Sequence, residues 1–152
     1  MTDPKARLAE LGLTLPAVTP PLAAYVPAVR TGNHVYVSGQ VPIADGKLLA
    51  TGKVGAEVTP EEAKELAQRC ALNAIAAIDS LVGIDSVVRI VKVVGFVASA
   101  DGFNGQPAVI NGASELFGAV FGDAGKHARS AVGVSQLPLD APVEVECIVE
   151  VA

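Results

Sequence analysis

The chain has no tryptophan, and its few Phe and Tyr residues bring the aromatic share to only 4%. A row of aromatic platforms for stacking unpaired bases is therefore not expected. Basic residues are also few. Eleven Lys and Arg stand scattered against 16 Asp and Glu, for a net charge of −5. Nucleic-acid binders draw affinity from clustered cations on phosphates, so nucleic acid is not an expected partner. Charged residues of both signs reach 18%, below the usual share of about 25%, while 51% of the chain is hydrophobic. That balance excludes intrinsic disorder, and it supplies more apolar surface than one small domain normally hides.

Cysteine is nearly absent as well. Cys70 and Cys147 lie 77 residues apart, with no CxxC pair and no histidine at zinc-binding spacing. They read as buried free thiols in a reducing cytosol. The opening stretch, MTDPKARLAELG, lacks the apolar core of a signal peptide. The uncharged run from Leu11 to Val29 reaches the length of a membrane span. However, Pro16, Pro20, Pro21 and Pro27 would break a lipid-exposed helix and leave backbone groups unpaired. The expectation is a soluble, cytoplasmic protein with no membrane partner. GxSxG, P-loop, GxGxxG and HExxH motifs are all missing. His34 and His127 have no acidic neighbour in sequence and read as surface residues. Neither a metal nor a covalent nucleophile is expected.

What is present is the patterning of one α+β domain over residues 1–152, with residues 1–13 as a helical extension and 14–25 as a proline-rich lead-in. Asp3 and Pro4 open a short helix that Gly12 stops. Val26–Arg30 and His34–Ser38 flank a Thr31-Gly32-Asn33 turn, the signature of a hairpin, and a further strand is expected near Lys47–Ala50. Thr59-Pro60-Glu61-Glu62 is a capping box for a helix to Val82, with an apolar stripe through Leu66, Cys70, Ala74, Ile78 and Leu81. The β-branched run Val87 to Ala98 reads as a strand covered on both faces. A second helix, Pro107 to Phe121, carries Gly112 and Gly118, each costing about 1 kcal/mol relative to Ala, so packing must hold it. Two strands close the chain, Arg129–Gln136 and Val143–Val151. In the last, valines and Cys147 alternate with Glu144, Glu146 and Glu150. Two helices cover one face of such a mixed sheet, and an oligomer is the simplest cover for the other.

The candidate polar residues sit at strand ends. Arg129 opens a strand of small apolar residues, where its planar fork fits a carboxylate or, equally, a rim ion pair. Glu144 follows a proline and reads first as part of an exposed acidic face. Ser38-Gly39-Gln40 closes a strand where glycine lets a ligand approach the backbone. Tyr25 is by default a core tyrosine. If the last two strands pair as a hairpin, Arg129 falls opposite about Glu150, roughly 20 Å from Glu144. The two could then share a small ligand only across an oligomer interface.

Tyr25, Val35-Tyr36-Val37-Ser38-Gly39-Gln40-Val41-Pro42, Ala128-Arg129-Ser130-Ala131-Val132, Leu137-Pro138 and Val143-Glu144-Val145-Glu146 together resemble the Rid/YjgF (RidA-like, L-PSP) family of reactive-intermediate deaminases. The resemblance spans about residues 20 to 152. It implies a chorismate-mutase-like α+β fold, a homotrimer with three sites between subunits, and hydrolysis of 2-imino acids (2-iminobutanoate, 2-iminopropanoate) to 2-keto acids and ammonia without a cofactor. By position it implies that Arg129 grips the substrate carboxylate and Glu144 orients or activates water. Tyr25 and Asn111 would line the cleft, with Ser38, Gly39, Ser130 and Ala131 beside the ligand. Ala131 stands where many members have cysteine, Ala23-Ala24 replace the usual Gly-Pro, and the Ser99–Pro107 stretch is longer than in compact members, the marks of a side branch. A non-catalytic carboxylate-binding protein and, less favoured by the acidic charge, an endoribonuclease are the alternatives.

Overall fold

A computed structural model describes residues 3–18 and 23–152. The chain runs α1 (Pro4–Glu10), β1 (Ala28–Thr31), β2 (His34–Gln40), β3 (Ile43–Ala44), β4 (Lys47–Leu48), α2 (Pro60–Val82), β5 (Val87–Ala98), α3 (Gln106–Phe121), β6 (Ala128–Val134) and β7 (Val143–Val151). The segment read as a proline-rich lead-in has no regular secondary structure at residues 13–18, and its Pro20 and Pro21 lie outside the described residues. No helix among the described residues is long and apolar enough to cross a membrane.

Local chemistry sets the element ends. Asp3 Oδ1 accepts from the backbone N–H groups of Lys5 and Ala6, and Leu8 pins the short α1 to the core. The Thr59 hydroxyl accepts from Glu62 N–H at 3.1 Å and donates to the Glu62 carboxylate at 3.2 Å. Gly83, with φ 83°, ends α2. Gly112 lets α3 approach α2 so closely that a β-carbon there would collide with the Lys64 carbonyl. The helix-weakening residue is thus the one that packs the two long helices together.

The main sheet has the order β1-β2-β7-β5-β6, antiparallel throughout except for the parallel β5–β6 pair. This corrects the hairpin expected from the last two strands. β5 lies between β6 and β7, pairing with Arg129 through Val93 on one side and with Cys147 through the same Val93 on the other. The physical reason is burial. Val143, Val145, Cys147, Val149 and Val151 are all buried, so β7 belongs in the centre, whereas β6 has no fully buried residue and suits an edge. The Leu137–Pro142 connection crosses the end of β5, where Ala98 N–H donates to Pro142 O at 2.9 Å and Leu137 and Ala141 pack on Ala98.

α2 and α3 cover one face, and a single core joins them to β2, β5 and β7, with both cysteines buried as free thiols. The other face is open in the single chain: Val29, Tyr36 and Val132 are 51%, 48% and 43% exposed. Within the single chain β5 is covered on its helix side only, and on the other side Val94 and Phe96 are half-buried.

Candidate active site

The pleat divides the candidate residues. Arg129 pairs with buried Val93 and points to the helix face. There its Nη1 donates to Asn111 Oδ1 at 2.8 Å and to Ser114 Oγ at 3.3 Å, both on α3. Asn111 and Ser114 are three residues apart and share one face of the helix. Both Nη1 hydrogens are thereby used, and neither Nε nor Nη2 donates to a described residue. Those two lie on one edge of the guanidinium, the edge that meets a carboxylate with two parallel bonds. No acidic side chain among the described residues pairs with Arg129, so the rim ion pair is not what it makes.

His127 stands behind this group. It is half-buried, not a surface residue, with Nδ1 2.6 Å from Gly125 O, Nε2 2.9 Å from Ser114 Oγ, and its ring edge-on to Phe117 at 5.9 Å. Burial pushes the imidazole pKa down, the Gly125 carbonyl pulls it back up, and the Arg129 charge pushes it further down.

A second group forms where β2 meets β7. The pairing slips between Val37 and Gln40, so three residue steps on β2 span two on β7, a one-residue bulge at Ser38-Gly39. Glu144 lies against this bulge so closely that a β-carbon on Gly39 would collide with its carboxylate. Glu144 is half-buried, and no cation among the described residues pairs with it. Burial raises its pKa, and the Glu146 charge two residues along the same face raises it further. Ser38 is tied down, its Oγ donating to Val26 O at 2.6 Å. Tyr25 is an exposed side chain and not the core tyrosine expected by default. With Ser38 and Gly39 it borders a cleft of about 720 Å³ that reaches Arg69 and Asn73 of α2.

Tyr25, Ser38, Gly39 and Glu144 therefore gather at one corner, and Arg129 and Asn111 at another. Within one chain the two sets do not meet. Glu144 pairs with Phe96 and points to the open face, while Arg129 is level with Val93 on the helix face. Three residues along β5 and two strand spacings part their backbones, about 10 Å in each direction. The sequence-based conclusion that one chain cannot bring them onto a small ligand stands, with a shorter distance and a different cause. Ser130 and Ala131 also divide. Ser130, level with Val94, faces the open side, and Ala131, level with Gly95, packs on the core. Ser114 and His127 are not among the sequence-expected residues; the signal they offer is spacing, Ser114 one helical turn from Asn111 and His127 two residues before Arg129, just ahead of β6.

Among the described residues no cluster of three or more His, Cys, Asp or Glu side chains could hold a metal. A half-exposed guanidinium with a free bidentate edge and a desolvated carboxylate can bind a small carboxylate and accept a proton from water, respectively.

The endoribonuclease L-PSP family matches residues 16–151. Protein TCP17 of Trypanosoma cruzi is 44% identical over 95% of this chain and 92% of its own length. A 2-iminobutanoate/2-iminopropanoate deaminase of Dermatophagoides farinae is 32% identical over 90% of this chain and 93% of its own. The crystal structure of Atu1372, a protein of unknown function from Agrobacterium tumefaciens, superposes with a TM-score of 0.90 at 43% identity, covering 97% of this chain and 91% of that one. With its α+β architecture and the Arg129 and Glu144 motifs in place, the chain belongs to the Rid/YjgF family, the family that also bears the name endoribonuclease L-PSP.

Proposed function

We propose that this protein hydrolyses 2-imino acids to 2-keto acids and ammonia, at sites shared between the subunits of a homotrimer. The observation that carries the reading is Arg129: its Nη1 is engaged by Asn111 and Ser114, and its Nε–Nη2 edge is left for a carboxylate. Two further facts support it, the deaminase relative at 32% identity and the uncovered apolar sheet face of Val29, Tyr36 and Val132. A neighbouring copy seated on that face would bring its Arg129 corner toward the Glu144 corner of the first.

The chemistry suits a site without metal ligand or nucleophile. A protonated imine carbon is already electrophilic, so the protein has to fix the carboxylate and deliver water. Arg129 grips the carboxylate. Glu144, its pKa raised by burial, takes a proton as water adds to the imine carbon and returns it to the nitrogen as the carbinolamine collapses. The carbinolamine hydroxyl gives up its own proton as the C–N bond breaks, Glu144 passes that proton to the departing ammonia, and ammonium leaves while the 2-keto acid remains bound to Arg129. Tyr25 closes the cleft, and the Gly39 backbone admits the substrate without a side chain in the way. RNA cleavage is not favoured, because Glu144, Glu146 and Glu150 line the open face and repel phosphates.

The test generates imines in situ with an amino-acid oxidase and traps the residue with semicarbazide. Accelerated loss of imine is expected with the native protein. Arg129→Ala is expected to lose on the order of 2–4 kcal/mol of carboxylate affinity. No acceleration with any imine would overturn the reading, and native kinetics in Arg129→Ala would overturn the site. Keto-acid protection in thermal melts without turnover would instead mark a binding protein.

A further inference from the structure

We propose that Ser114 and His127 are positioning residues for Arg129, a short relay that fixes the plane of its guanidinium for the incoming carboxylate. The inference rests on the reading of Arg129 as the carboxylate grip and extends it to two residues behind that grip.

The hydrogen-bond roles follow from what each atom can do. The Gly125 carbonyl only accepts, so the 2.6 Å contact places the imidazole proton on His127 Nδ1. In the neutral ring Nε2 is then a lone pair, and the Ser114 hydroxyl 2.9 Å away donates to it. With its proton so committed, Ser114 Oγ presents only lone pairs toward Arg129, and Nη1 donates to one of them at 3.3 Å. The remaining Nη1 hydrogen goes to Asn111 Oδ1 at 2.8 Å. Without the histidine the serine hydroxyl is free to turn its hydrogen toward the guanidinium, where it repels.

The surroundings keep the ring neutral. Arg129 is the charge that acts on it; α3 presents the uncharged Ser114 and Phe117, the preceding turn presents the Gly125 carbonyl, and Lys126 in that turn pairs outward with Asp123 at 3.4 Å. The backbone holds the relay tightly as well: a β-carbon on Gly125 would collide with the Phe117 carbonyl. His127 is thus packed in place just before β6 and supports the arginine two residues on.

The experiment measures imine hydrolysis and, in parallel, calorimetric binding of 2-oxobutanoate, whose carboxylate the same arginine would grip. Ser114→Ala and His127→Phe each remove one link, and His127→Phe keeps a flat ring against Phe117. Each is expected to raise KM and the 2-oxobutanoate Kd about tenfold, the worth of one hydrogen bond to a charged group, with kcat within about twofold. The double variant is expected to be no weaker than the worse single one, because either change breaks the same chain of bonds. Ser114→Thr, which keeps the hydroxyl, and His127→Gln, which keeps an acceptor near the Nε2 position, are expected to retain most of the affinity. Unchanged KM and Kd in folded Ser114→Ala and His127→Phe would overturn the relay and leave the deaminase reading standing, as would losses that simply add in the double variant. A native protein that neither hydrolyses imines nor binds 2-oxobutanoate would overturn the deaminase reading and the relay with it.

Discussion

The two corners of the molecule that carry the candidate residues are built on opposite principles. At the β6–α3 corner a cation is surrounded by partners: Arg129 is tied to Asn111 and Ser114, and Ser114 is tied through His127 to the backbone. At the β2–β7 corner an anion is deprived of them. Glu144 lies half-buried against Gly39, its nearest charged influence being another carboxylate. The first arrangement lowers the freedom of the guanidinium. The second raises the energy of the charged carboxylate and so favours its protonated form. In the proposed reaction, binding and proton transfer are divided between these two regions, which one chain keeps on opposite faces of its sheet.

The comparison breaks most visibly at Glu144. Glu144→Gln is expected to lower kcat on the order of 10²–10⁴-fold, the usual worth of a general base. The same change is expected to raise Tm at neutral pH, because it removes a charge that burial disfavours. A fall in both would mean that Glu144 serves the fold. Next comes Arg129→Lys, which keeps the charge but loses the fork; a loss of about tenfold in kcat/KM with little change in Tm is expected. Smaller still is Gly39→Ala. The added methyl collides with the flexible end of Glu144 and not with backbone, so the protein is expected to fold normally while kcat drops several-fold as the carboxylate is displaced.

The smallest effect is a pH dependence of stability. The folded state lowers the pKa of His127 below its ordinary 6.5, so as pH falls the unfolded chain takes up that proton first. His127 therefore leaves stability flat above about 6.5 and subtracts from it as pH drops through the lowered folded value. Glu144 acts in the opposite sense, since its raised pKa lets the folded state take up its proton first, and its cost to stability fades as pH falls toward 4.5. The Tm difference between the native protein and His127→Gln, followed from pH 7.5 to 5, isolates the first. A difference that does not grow toward acid pH would show that His127 is not held neutral by its surroundings.

Much of the fold was legible in the chain because its signals are local. The capping box at Thr59, the β-branched run Val87–Ala98 and the strict alternation of Val143–Val151 place α2, β5 and β7 within a residue or so of their observed ends. The pairing of the last two strands was not legible. A six-residue connection reads as a hairpin loop, and only competition for burial, settled across the whole sheet, puts β5 between them. The site divides in the same way. Gly39 and Ser38 were marked by the glycine at a strand end, yet the bulge that sets Gly39 against Glu144 depends on a register fixed by β7. His127 looked like a surface residue because nothing beside it in sequence is acidic. Its partners are a serine 13 residues away and a backbone carbonyl, and no pattern around His127 itself points to either.

In the proposed trimer one site draws Arg129 from one subunit and Glu144 from another, and this sharing is the central point to test. It is tested most directly by co-assembling Arg129→Ala and Glu144→Gln chains, each inactive alone, and assaying imine hydrolysis by the mixture. Equal random mixing leaves about a quarter of intersubunit sites with both native residues, so recovery of roughly that share of native activity is expected. No recovery from fully mixed trimers would contradict the shared site and place both residues in a single chain.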